Sequence, residues 1–414
     1  YSGRSFDRFF DQYVFHAHHP ELKISYAWDE KAKLAKLSVQ QTQKIDSNVL
    51  LFHVALPVRF KINSKSFNHF LPITKLSQDF YLPLPNAPKI VRIDPDLTLL
   101  AKINFDPPTS QIHAQLADGT DALGRQLAVE LLAKRKDKTT IEKLKQVLQN
   151  DSFYGVRIAA SQALRSIASD SAFAVLSEST AQANAKVRSQ VVSDIASQPK
   201  PNALNDLKRI LSSEKNPMIR ARAINGLAGH DDKEANKLIH QALRQTSFRN
   251  QITDAAIAAL RKQDKPANIT KIRTLLEEEG NKFTTNGYAN AIRAIGFLSR
   301  NQKNKASLRE FFIKHIHNPK RRVALAAIES LGQLGDPRVI AKLEKFTNNA
   351  EGDPSRKAAE QAIEKIRASR KPGDDYKNLR KEVTNLKQSN TKLTKELNTL
   401  KKRFEAALEK KSID

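Results

Sequence analysis

The chain has 414 residues, of which 70 are Lys or Arg and 44 are Asp or Glu, for a formal net charge of +26. This length accommodates two or three domains, a hydrophobic content of 40 % supports folded cores, and no apolar run is long enough to span a bilayer. The lack of any cysteine excludes disulfides, thiolate metal sites and a cysteine nucleophile.

Residues 1–105 carry +5, residues 371–414 carry +5, and the span between them carries the remaining +16. Such a surface suits nucleic acid, anionic lipid or an acidic partner; a solvated basic face with no specific partner has the same balance. No signal peptide is visible, and the compartment stays unknown.

At the start of the chain, Phe6, Phe9, Phe10, Tyr13 and Val14 recur at helical spacing. Residues 1–18 therefore predict the terminal helix of a preceding domain, broken by His16-Ala17-His18-His19-Pro20. The first residue is Tyr, so a fragment of a longer protein is expected. Residues 19–106 turn to β periodicity. Leu22, Ile24, Tyr26 and Trp28 alternate with polar residues, Leu37 and Val39 continue the pattern, and runs at 49–54, 58–62, 80–84 and 90–93 follow. Short alternating runs between turn residues predict a small antiparallel β-sandwich. Pro107-Pro108-Thr109 predicts a linker.

Several blocks here resemble a known junction. They are residues 2–14, His19-Pro20-Glu21-Leu22 continuing to Asp29, Val39-Gln40-Gln41-Thr42-Gln43, and Ala87-Pro88-Lys89-Ile90-Val91-Arg92-Ile93-Asp94-Pro95. In that order they resemble the end of the catalytic domain and the following β-sandwich of the aminopeptidase N-like (gluzincin) zinc metallopeptidases. The resemblance implies an upstream catalytic domain holding zinc through a His-Glu-x-x-His helix and a further Glu. No such string occurs in this chain. Two His one helical turn apart can share a metal, whereas adjacent His18 and His19 point apart and Pro20 interrupts the helix. The expectation is thus no catalytic residue, no metal ligand and no cofactor in this fragment, with zinc confined to the upstream domain.

Residues 110–370 repeat one phrase. It begins at Gly124, Val156, Val187, Ile219, Ile252, Gly287 and Val323, with a degenerate copy from Ser355, at spacings of about 31 to 36 residues. Apolar or small residues three and four apart mark one helix face. Between copies runs a second helical pattern, as in Ile141, Leu144, Val147 and Leu148. Asn216-Pro217, Asn318-Pro319 and Asp353-Pro354 predict capped helix starts. The pattern resembles short HEAT-like repeats, implying an α-α solenoid. In that family an Arg beside the apolar anchor pairs with an Asx of a neighbouring turn, and Arg157, Arg188, Arg220 and Arg322 are the positions so assigned. Gly287 and the out-of-register Arg249 predict an interruption. Glu277-Glu278-Glu279 predicts a solvated face, and Phe311 and Phe312 a filling of the stack.

Residues 371–375 predict a linker, and residues 376–411 a coiled coil. Position a takes Tyr376, Val383, Asn390, Leu397 and Phe404; position d takes Leu379, Leu386, Leu393, Leu400 and Ala407. One central Asn at a favours a parallel dimer in register, with Glu382 facing Lys387 and Glu396 facing Lys401 of the partner. A lone helix packed on the array, or a coil with another partner, fits the same pattern.

The fold expected is mostly α: a small antiparallel β-sandwich, an α-α HEAT-like solenoid and a C-terminal coiled-coil helix. The function expected is that of a non-catalytic C-terminal region of an aminopeptidase N-like metallopeptidase, serving as substrate-chamber wall, protein-interaction scaffold and dimerisation element. The alternative is a stand-alone basic HEAT-repeat scaffold binding an acidic protein or nucleic acid.

Overall fold

The computed structural model describes residues 5–135, 138–198, 200–368, 383–384, 386–399 and 401. The fold is mostly α, with strands confined to the N-terminal part and a helical repeat region after them. It forms two compact units that meet in sequence between Ala259 and Leu260.

The first unit opens with a short helix, α1 (Asp7–Phe10), which widens into a π-helical turn over Asp11–Phe15. Seven strands follow: β1 (Glu21–Asp29), β2 (Leu34–Gln41), β3 (Val54–Ile62), β4 (Lys65–Ile73), β5 (Ser77–Pro83), β6 (Ile90–Ile93) and β7 (Lys102–Phe105). They form one sheet ordered β5-β2-β1-β7 and another ordered β4-β3-β6. All pairs are antiparallel except β1 with β7. Side chains alternate across each strand, so Leu22, Ile24, Leu37, Val39, Leu56, Val58 and Phe60 fill one core between the sheets.

Two strands escape the sequence reading. In β4 the apolar alternation is diluted by Asn68, His69 and Pro72; Pro72 is tolerated because β4 is an edge strand. The β7 strand is only four residues long. Conversely, residues 49–53 are not a strand. The Gln41 amide donates to the Phe52 carbonyl (2.8 Å) and accepts from its N–H (3.0 Å). Gln12 treats His53 the same way, at 3.2 and 2.5 Å. Buried backbone must find partners, and here side-chain amides replace a neighbouring strand.

The sandwich is keyed to the first helices by buried polar contacts. Arg92 of β6, 3 % exposed, donates from Nε to Asp121 Oδ2 (2.9 Å) and from Nη2 to the Pro95 carbonyl (3.0 Å). Lys61 of β3 pairs with Asp118, and Gln111 donates to the Pro88 carbonyl (3.2 Å). Asp121 also caps the next helix by accepting from the Gly124 N–H (2.7 Å).

Helices α2 (Thr109–Leu116), α3 (Ala122–Ala133), α4 (Lys138–Asn150), α5 (Tyr154–Ile167), α6 (Asp170–Glu178), α7 (Ala185–Ala196), α8 (Pro201–Ser213), α9 (Pro217–Leu227) and α10 (Lys233–Ala242) continue the first unit, and α11 (Gln251–Gln263) crosses the division. In this unit α3, α5, α7 and α9 pack side by side in one layer, each backed by a helix of the second layer. Starts are capped by Ser169, Asn184, Asn216 and Asp232, whose side chains accept amide hydrogens.

The second unit holds α12 (Asn268–Glu279), α13 (Thr285–Ser299), α14 (Ala306–Ile313), α15 (Arg321–Leu334), α16 (Ile340–Thr347) and α17 (Pro354–Ala368). Here α13, α15 and α17 form the layer, and Phe311 and Phe312 are buried beneath it. The seams close on small residues: a Cβ at Gly296 would lie 2.9 Å from the Ser330 Cα, and one at Gly332 2.8 Å from the Ala362 Cα. The predicted start at Asn318-Pro319 needs correction. Asn318 accepts from the Lys320 N–H (2.9 Å), closing a turn around Pro319, and α15 begins only at Arg321.

Candidate interaction surfaces

In the first four copies of the repeat the residue after the anchor is an arginine reaching into the next repeat's turn. Arg125 grips Asp151 with Nε at 2.7 Å and Nη2 at 3.1 Å. Arg157 Nη1 reaches Gln182 Oε1 at 3.4 Å, Arg188 Nε reaches Glu214 Oε2 at 2.8 Å, and Arg220 Nη2 reaches Gln245 Oε1 at 2.9 Å. The acceptor lies 25 or 26 residues downstream each time. It is an Asp once and a Glu or Gln otherwise, in place of the Asx expected throughout.

The four rungs are not equivalent. The Asp151 carboxylate, hydrogen-bonded to Arg125, raises that guanidinium's pKa. In Glu214, burial works against ionisation, but Arg188 outweighs it and the carboxyl stays below its ordinary range. Arg157 and Arg220 meet only neutral amides, and their Nε atoms are buried without a partner.

Arg125 follows a glycine, Gly124, in place of an apolar anchor, and the Gly-Arg pair in the earliest copy is the sequence signal that marks it. Arg322 does not join the row. It precedes Val323 instead of following its anchor, so it sits two residues out of register, about 200° around the helix. Its Nη1 turns back to Asn286 Oδ1 at 2.5 Å. The ladder position is taken by Thr253, Tyr288 and Ala324 in the later copies.

The same turns present exposed apolar side chains. Phe153 is 42 % exposed, Met218 56 % and Phe248 72 %. Lys186 sits over the Tyr154 ring at 4.7 Å, linking two successive turns. Arg249 and Asn250 both adopt left-handed backbone, with φ of 53° and 59°, a conformation that costs free energy outside glycine and persists only where neighbours enforce it.

A second surface lies at the amino end. Gln12 is clamped to His53, and the Tyr13 ring packs 5.8 Å from that of Phe52. The same segment exposes Phe6, Phe9, Phe10 and Phe15, and the Phe9 ring lies 5.3 Å from that of Tyr13. His16 bonds the Asp11 carbonyl at 2.9 Å, and His18 adopts a φ of 71°.

At the other end, residues 386–399 are helical, and Val383, Leu386, Asn390, Leu393 and Leu397 are exposed at alternating three- and four-residue steps. Tyr376, Leu379, Leu400, Phe404 and Ala407 lie outside the described residues, as do the linker 371–375 and Ser2 to Arg4 of the resembling block. The acidic run behaves as a solvated face, with Glu277 paired to Arg273 and Glu279 to Lys282.

Among the described residues no group of three or more His, Asp or Glu could hold a metal ion. His315 packs between the rings of Tyr288 and Phe311, at 5.6 and 5.0 Å, and burial, helped by Lys314, lowers its pKa. No helix among the described residues is long and apolar enough to cross a membrane.

The sequence matches the HEAT repeat family model over residues 109–196 and 285–364. No curated protein matches. Among solved structures, the chain is similar to Legionella pneumophila aminopeptidase A in complex with aspartic acid, at 12 % identity and a TM-score of 0.44, covering 84 % of this chain and 49 % of that one. It thus spans about half the length of that structure. Human deoxyhypusine hydroxylase in complex with glycerol is similar at 15 % identity and a TM-score of 0.28, over 58 % of this chain and 99 % of that one. Residues 109–196 and 285–364 are thus similar to HEAT repeats, and the helical part of the chain is a repeat region.

Proposed function

We propose that this chain is the non-catalytic C-terminal region of an aminopeptidase N-like zinc metallopeptidase, in which the sandwich supports an upstream catalytic domain and the repeats wall its substrate chamber or hold a protein partner. The observation that carries the reading is the entry helix. Gln12 and Tyr13 pin it to the sandwich, while Phe6, Phe9, Phe10 and Phe15 stay exposed around them. An apolar face of this kind marks an interaction site, and a preceding domain would cover it. The sequence blocks at residues 2–43 and 87–95 point to which domain.

The test is an assay of the gene product extended upstream of Tyr1. It should release N-terminal residues from peptides in a zinc-dependent way, and Phe6→Ser/Phe10→Ser should weaken the joint and lower the melting temperature of the extended protein. Absence of chelator-sensitive activity from the extended protein sinks the peptidase reading and leaves the basic-scaffold alternative.

The exposed stripe of Val383, Leu386, Leu393 and Leu397 supports a second element of the proposal, homodimerisation through residues 376–411. Burying such a stripe against a second copy is the coiled-coil solution, with the Asn390 side chains facing each other. Light scattering should give twice the chain mass, and the single-chain mass after removal of residues 376–414. A monomer before truncation rejects it.

A further inference from the structure

We propose that the rim formed by the turns preceding α5, α7, α9 and α11 is a docking strip for an extended acidic peptide with apolar side chains between its carboxylates. The proposal rests on the scaffold reading above, and not on the coil or the peptidase parent.

Charge is the first argument. Acids of these turns are already consumed: Asp151 by Arg125 and Glu214 by Arg188. Two of the four ladder guanidiniums, Arg157 and Arg220, have no carboxylate, and each leaves a buried Nε unpartnered. Both side chains are half-buried, so each is a cation open to an anion from outside. Lys186 and Lys215 stand exposed on the same edge. The strip is therefore cationic both at its surface and beneath it.

Apolar exposure is the second. Phe153, Met218 and Phe248 project from successive or alternate turns of the same edge, and Phe248 sits beside the left-handed pair Arg249 and Asn250. Strain of that kind is a recurrent feature of recognition loops. A strip alternating apolar and cationic groups matches a ligand alternating apolar and anionic ones.

Spacing is the third. Arg157 and Arg220 are two repeats apart, and packed helices lie about 8–10 Å axis to axis, so the two guanidiniums are separated by about 16–20 Å. An extended chain rises about 3.3 Å per residue, so carboxylates about six positions apart would reach both rungs from one face. Recessed guanidiniums beside Phe and Met side chains favour carboxylates on a polypeptide over a phosphodiester backbone, which carries no apolar side chain of its own.

The test is fluorescence anisotropy on the full chain with three labelled probes: a short peptide of repeating Glu-Phe-Ser, the same repeat with Lys for Glu, and a single-stranded oligonucleotide of equal charge. The Glu peptide should bind, the Lys peptide should not, and the oligonucleotide should bind more weakly. Arg157→Gln/Arg220→Gln and, separately, Met218→Ser/Phe248→Ser should each weaken the Glu peptide by about tenfold or more, the scale of an interface hot spot. Arg261→Gln in the second unit, whose guanidinium lies 5.0 Å over the Phe297 ring, should leave binding unchanged. If the ladder variant does not fold, the exposed-residue variant decides. Equal binding of the Lys peptide, preference for the oligonucleotide, no binding of the Glu peptide, or no loss in a folded variant overturns the proposal. None of these outcomes alters the chain mass or the extended protein's activity, which test the coil and the peptidase reading separately.

Discussion

Single side chains in the repeat layer show what periodicity alone cannot foresee. Seven residues past the anchor the layer takes Ala163 and Gly226, yet the third copy places Asp194 there, almost wholly buried. Burial raises its pKa, opposed by hydrogen bonds from Ser161 (2.6 Å) and Gln190 (3.0 Å) and by Arg165. Asp254 is more exposed to a penalty: burial pushes its carboxyl up to about 6, and its Oδ1 has no partner. A folded-state pKa above the unfolded value means that ionisation disfavours the fold, so this cost is absent below about pH 4 and complete above about pH 6. Asp254→Asn should therefore raise stability at pH 7 by about 1 kcal/mol, after allowance for its partial exposure, and by nothing near pH 4. Thermal melts at the two pH values check this. Asp336 has the opposite sign. Burial works against its charge, but Arg338 and Arg309 outweigh it and hold the carboxyl at about 2. Its stabilising contribution is full above about pH 4 and lost as the pH falls toward 2.

At the scale of elements, the anchors were legible and the polar partners were not. Val156, Val187 and Ile219 declare a helix face by spacing alone, because burial repeats with the helix period. Whether the following Arg meets Asp151 or Gln182 depends on a turn 25 or 26 residues away, which no local pattern encodes. The same holds in the sandwich, where residues 49–53 carry strand-like composition but take their partners from Gln41 and Gln12. Replacing Gln41 by Ala should strand the Phe52 N–H and carbonyl and cost about 2–4 kcal/mol, read from urea unfolding. The seam between α15 and α17 offers a separate test. Gly332→Ala forces a methyl against the Ala362 backbone, and overpacking of this kind costs about 1–3 kcal/mol. A variant as stable as the parent would mean that the two helices part more readily than their separation indicates.

Over the whole molecule, the surplus of positive charge is sharpened by how the acids are used. Asp118, Asp121, Asp151, Glu214 and Asp336 all sit at turns or helix starts, spent on neighbouring cations. The chain is left with a self-repelling exterior. Raising sodium chloride from about 0.1 to 1 M shortens the screening length from about 10 to 3 Å, and the melting temperature should rise. A fall would show that short-range surface pairs outweigh the long-range repulsion.

The amide clamp between Gln12 and His53 has a mechanical corollary. Two opposed hydrogen bonds join the leading segment to the start of β3, and Arg92 with Lys61 joins the sheets to the helices beyond. A tug on the amino end would be borne in shear by neutral amides, indifferent to acid or salt, before it reached a junction that is sensitive to both. The sandwich would then behave as a strain-bearing coupling whose far side loosens first.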